Sequence, residues 1–218
     1  VRREWRMLLL ATILFFGTGA ASYAAIHSDA ELAYTILGPG FASRLEAMYD
    51  PESEHFLRER GSESDVMMFG FYIRNNIGIG FKTFASGLLL GIGSAFFLVY
   101  NGLVLGGAAG HIDQVGFGST FYSFVIGHGA FELTAILLAG VAGLKLGGAI
   151  LAPGRRSRTR ALIEEGRKAS VIVYGFAGML VIAAFLEAFW SSSTTIPFNV
   201  KITVGAILWG LVILYFAF

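Results

Sequence analysis

Cysteine is absent from this chain of 218 residues. A disulfide framework, a thiolate metal site and a cysteine nucleophile are therefore excluded. Charge is scarce: Asp, Glu, Lys and Arg make up 14% of the residues, against about a quarter in an average soluble domain. There is no G-x-S-x-G elbow and no Walker-type loop, so no catalytic set stands out and no enzyme activity is expected. No internal repeat is visible, so the inverted-repeat pattern of many transporters is missing.

Hydrophobic residues are abundant, 55% of the chain, and they come in blocks of membrane length. A helix needs roughly 20 apolar residues to cross about 30 Å of hydrocarbon. The expected fold is all-α, a single polytopic transmembrane bundle of about six spans. These fall near 6–26, 78–100, 102–117, 119–151, 169–190 and 200–218, with the third short and glycine-rich. The first apolar block exceeds the 7–15 residues of a signal peptide's apolar region. It is expected to be a retained span, although its "ASYAA" end resembles a cleavage site. A polar outer segment, 27–70, holds "FASRLEAMY". There Phe41, Leu45 and Met48 share one face of a short amphipathic helix.

Arg and Lys in short flanking segments set orientation. Arg2, Arg3 and Arg6 precede the first span. Arg155, Arg156, Arg158, Arg160, Arg167 and Lys168 fill the loop 153–168. Both are expected in the cytoplasm, which requires an even number of crossings between them. The weak third element is thus expected to span. The arginine loop reads as a topology and anionic-lipid signal rather than a nucleic-acid patch.

Small residues recur every four positions: Gly102, Gly106 and Gly110, then Ala135, Ala139, Gly143 and Gly147. Such stripes let helix backbones approach closely. They are expected at helix contacts, within the chain or across a homo-oligomer.

The chemistry concentrates in "FVIGHGAFELTAILL". His128 and Glu132 lie one turn apart on a membrane helix, with Glu132 near the midplane. A charged carboxylate there costs at least ~2.5 kcal/mol, so it must be protonated, paired or facing water. Three readings follow: a polar cluster that fixes helix register, a proton or cation pathway, and a metal site. In each, His111 and Asp113, before the turn at 116–118, are expected near His128. No cofactor is expected. The metal reading needs a further ligand, which "HGAFE" lacks on its own helix. Asn75, Asn76, Lys82, Asn101 and Glu187 are expected as polar support. Lys82 is expected near the outer end of its span and Lys145 as a cytoplasmic-side snorkeller. Glu187 is read either as an outer cap or as a partner of Lys201.

Four motifs in order then carry a resemblance. "NNIGIGFKTFASGLLLGIG", "YNGLVLGG", "GHGAFELTAILLAGVAGLKLG" and "AAFLEAF" are similar to the stage II sporulation protein M family. The matching positions are Asn75–Asn76, Asn101–Gly102, His128–Gly129–Glu132 and Glu187–Phe189, within residues 70–218. The resemblance implies a multi-pass protein of the cytoplasmic membrane. It also implies a non-enzymatic scaffold for peptidoglycan- or envelope-remodelling membrane proteins.

Overall fold

The computed structural model describes residues 4–52 and 62–217. Arg2, Arg3, Phe218 and the part of the outer segment at 53–61 lie outside the described residues. The fold is an all-α bundle. In chain order its helices are α1 (Trp5–Ser28), α2 (Leu32–Leu37), α3 (Pro39–Tyr49) and α4 (Ser62–Ala85). There follow α5 (Ile92–Gln114), α6 (Gly118–Leu151), α7 (Arg158–Ser191) and α8 (Phe198–Ala217). Five of them, α1, α5, α6, α7 and α8, are long and apolar enough to cross a membrane. The 24-residue α4 has spanning length, about 36 Å at 1.5 Å per residue, but carries Asp65, Arg74 and Lys82.

Helix α6 is the axle. Alanine and glycine dominate its buried positions, so neighbours can close on it from several sides, and α1, α4, α5, α7 and α8 all pack against it. Ala135, Ala139 and Leu138 meet Phe176 and Leu180 of α7 in one apolar cluster. Gly143 and Gly147 receive the α4–α5 turn, where a Cβ would run into Phe84 and Thr83 carbonyls and the Gly91 backbone. The second stripe joins α5 to α1: Gly102 lies on the Phe15 carbonyl, Gly106 on the Gly19 carbonyl and Gly110 on Tyr23 and Ile26. Both small-residue stripes are thus consumed inside the chain.

The expected span at 78–100 is two helices rather than one. Helix α4 ends at Ala85, a 3-10 turn covers Ser86–Leu88, and Leu90 and Gly91 take positive φ of 56° and 81°. Only the glycine does so without steric cost. Turn amides must be satisfied where water is scarce. They are: Leu89 N–H donates to Ser86 O, Gly91 N–H to Gly87 O and Ile92 N–H to Leu89 O. Ser94 Oγ adds a bond to Thr83 O at 2.6 Å. The apolar run Leu88–Leu90 hides this turn in the sequence. In consequence the third element is no short helix but the second half of a full one, and Asn101 sits mid-helix, donating to Phe97 O at 2.7 Å. Lys82 falls in the last turn of α4, at the end of the bundle opposite to the one expected. There its charge suits the negative end of the helix dipole.

The basic loop expected at 153–168 shortens to residues 152–157, because α7 begins at Arg158 with Ser157 Oγ accepting from Arg160 N–H. Glu164 pairs with Arg156 and Arg160 near the start of this helix. Lys145 does not snorkel. It is 7% exposed and pairs with Glu4 at 2.5 Å and Glu165 at 3.7 Å. At the other end of the bundle, α2 and α3 fold over α5. The face of α3 that is buried is Ala42, Leu45 and Tyr49. Met48, expected on that face, is exposed, because the i+7 position turns toward solvent once Tyr49 docks on Phe121 and Phe124.

Candidate functional site

Half-way along α6, His128 and Glu132 stack one turn apart, with Nε2 and Oε2 3.9 Å from each other. From α7, Glu187 joins them. One donor atom from each of His128, Glu132 and Glu187 lies within 4.8 Å of the others. Glu132 is about 20 Å along the helix from Gly118 and about as far from Lys145. His128 is buried, with 6% of its side chain exposed against 17% for Glu132.

Two local features aim these groups. The end of α7, Leu186–Ser191, is a π turn. An inserted π turn shifts the phase of the residues that follow. Here it brings both Glu187 and Ser191 onto the α6 side. Ser191 Oγ then meets His128 Nδ1 at 3.0 Å, which leaves Nε2 facing the carboxylates. Asn76 of α4, 2% exposed, donates from Nδ2 to Glu187 Oε2 at 3.2 Å. Asn75 donates in turn to Asn76 Oδ1 at 3.0 Å. Three helices therefore build one polar constellation inside an apolar bundle.

Among the described residues no lysine or arginine forms an ion pair with Glu132 or Glu187. Lys201 of α8, 6% exposed, donates to the Ser191 carbonyl at 2.7 Å. It thereby satisfies one π-turn acceptor. Above it a cavity of about 390 Å³ is lined by the hydroxyl residues Ser119, Thr120, Ser123, Ser193 and Thr194, by the apolar Ile196 and Phe198, and by Lys201. The Lys201–Ser191–His128 contacts connect the floor of this cavity to the constellation.

The other sequence candidates divide. His111 and Asp113 do not reach His128. His111 Nε2 meets Glu46 Oε1 of α3 at 2.7 Å. Asp113 accepts from the Tyr23 hydroxyl at 2.8 Å and the Tyr122 hydroxyl at 2.6 Å. The reason is length: α5 and α6 are joined by a tight turn with Gly116 at φ 87°. Asp113 thus lies against Gly118 and Tyr122, nearer the α5–α6 turn than His128 is. Asn101 and Lys82 are also outside the constellation. Glu187 is nearer its centre than expected, and Lys201 donates to the Ser191 carbonyl rather than pairing with it. Sequence reasoning missed Ser191; its cue was spacing, four residues after Glu187.

A family model described as Stage II sporulation protein M matches residues 8–192. No curated protein and no solved structure matches the chain.

Proposed function

The chain belongs to the stage II sporulation protein M family, and from that premise we propose that it is a cation-handling component of the membrane, a channel or transporter part rather than a scaffold alone. Its site is His128, Glu132 and Glu187. One observation carries this reading: two carboxylates and one imidazole share a space under 5 Å across inside the bundle, without a lysine or arginine ion pair among the described residues. Each buried charge costs about 2.5–3.5 kcal/mol at membrane depth. A cluster serving helix register alone is cheaper with neutral amides. Two facing carboxylates need a proton or a metal cation between them, and the hydroxyl-bearing cavity over Ser191 supplies the direction of approach.

The orientation proposed with it puts the N-terminus and residues 152–157 in the cytoplasm, on the strength of their arginines. The cavity then opens to the outside. The absence of native cysteine makes a labelling experiment clean. A small hydrophilic thiol reagent added to the outside of intact cells is expected to modify Ser193→Cys and Glu132→Cys, and not Ser157→Cys. A scaffold with a sealed cluster leaves Glu132→Cys unreactive in the folded protein, and that result would reject the cation reading. Modification of Ser157→Cys from outside would reject the orientation.

A further inference from the structure

The missing ligand of the sequence reading is present, on a helix where it was not sought. We propose that His128 Nε2, one oxygen of Glu132 and one oxygen of Glu187 bind a single divalent transition-metal ion of the zinc class. This rests on the cation reading above and names the cation. Four observations carry it.

The first is geometry. Ligand atoms about 2.1 Å from a common zinc-like ion in tetrahedral geometry are about 3.4 Å apart. The His128–Glu132 pair, at 3.9 Å, is close to that spacing. The full set lies within 4.8 Å, so binding draws the three side chains inward by about 1 Å.

The second is charge. Two carboxylates and a divalent cation sum to zero, which is the cheapest ionic state for a group of charges in a low-dielectric site.

The third is the surrounding hydrogen bonds. Metal-bound histidine characteristically uses its other nitrogen in a hydrogen bond, and ligating carboxylates are themselves held by donors. Ser191 Oγ does the first for His128 at 3.0 Å and Asn76 Nδ2 the second for Glu187 at 3.2 Å. The Ser191 bond uses His128 Nδ1 and leaves Nε2 for the centre.

The fourth is the π turn that carries Glu187 and Ser191, a distortion frequently found at functional sites.

The donor set selects the class of ion. Calcium takes six to eight oxygens, and magnesium keeps an octahedron of oxygens and waters. An imidazole with two carboxylates instead suits zinc, manganese or ferrous iron. Three protein ligands leave a fourth position open, as in sites where an ion exchanges or a water is activated.

The test uses the full chain, purified without a polyhistidine tag, stripped with chelator and titrated with CoCl₂ and then ZnCl₂. Wild type is expected to take up one Co²⁺ per chain, with visible absorption bands that Zn²⁺ displaces. Glu132→Gln and Glu187→Gln are expected to lose the bands and most of the affinity while unfolding at a temperature close to wild type. Asn76→Ala and Ser191→Ala, which remove positioning partners, are expected to weaken binding about 10-fold or more. They give the answer even if a carboxylate variant fails to fold. Absence of binding by wild type would overturn the proposal. So would binding that ignores all four substitutions, which would place the metal elsewhere. Proton flux dependent on Glu132 without metal binding would overturn this inference alone and leave the cation reading standing. Metal binding without any flux would do the reverse.

Discussion

At the scale of single residues, His111 shows how one partner redirects a reading. Its position before a turn suggested a place beside His128. The structure gives it Glu46 instead, at 2.7 Å, with Tyr34 edge-on 5.8 Å away. The pair clips α3 onto the end of α5, helped by Thr120 Oγ1 donating to the Tyr49 carbonyl at 2.5 Å. A hydrogen bond to a charged group contributes about 1.5–3 kcal/mol. Glu46 is 36% exposed, so solvent screening brings the value toward the lower end. Glu46→Gln is therefore expected to loosen α3 without unfolding the bundle. Ala42, fully buried beneath α3, reports it: Ala42→Cys should react slowly in the parent and several-fold faster with Glu46→Gln. Equal rates would mean that apolar contacts alone hold α3. His128 and Glu132 were legible as a pair because i, i+4 spacing on a helix fixes their proximity. Glu187 and Glu46 were not, because no local pattern states which helices lie side by side.

At the scale of elements, helix type, the apolar blocks and the small-residue stripes could be read directly from the sequence. The α4–α5 turn could not. Its tip is leucine, and Leu88, Leu89 and Leu90 are exposed at it, so the apolar run continues through a place where the backbone reverses. The cues were Ser86, Gly87 and Gly91, which fit a packing stripe equally well. The π turn at Leu186–Ser191 was likewise invisible, since its residues remain compatible with regular α-helix. The stripes themselves make a sharp prediction. At Gly106 a Cβ would overlap the Gly19 carbonyl, and at Gly143 it would overlap Ser94 Oγ and the Phe84 carbonyl. The two carbonyls are backbone and cannot swing aside, and Ser94 Oγ is held by its hydrogen bond to Thr83 O. Overpacking costs about 1–3 kcal/mol, and more where backbones must part. Gly106→Leu and Gly143→Leu are expected to lower the unfolding temperature in detergent markedly. Gly148→Leu, at a position where nothing lies within 4 Å of an added Cβ, is expected to be nearly silent. Wild-type stability in the first two would mean that these helices do not touch as described.

At the scale of the whole molecule, one arrangement links the parts. Helix α6 holds its neighbours through glycine and alanine along its lower half, where Gly143 and Gly147 admit the α4–α5 turn. Its middle carries the His128–Glu132–Glu187 constellation. Helix α7 closes on it from one side and contributes Glu187 and Ser191. Helix α4 closes from another and contributes Asn76. Helix α8 caps the assembly with Lys201 beneath the cavity. The central claim is that this constellation moves a cation across the membrane as one unit. Its most direct measurement is ion flux in proteoliposomes, with a pH-sensitive dye and a divalent-metal dye inside and a gradient imposed across the membrane. Wild type is expected to conduct protons or a divalent metal ion. Glu132→Gln and Glu187→Gln, each close in shape to the parent, are expected to reduce that flux at least 10-fold while remaining inserted and folded, and the double variant is expected to be no worse than either single one. Flux unchanged in both single variants, or none in wild type under either gradient, would contradict the account.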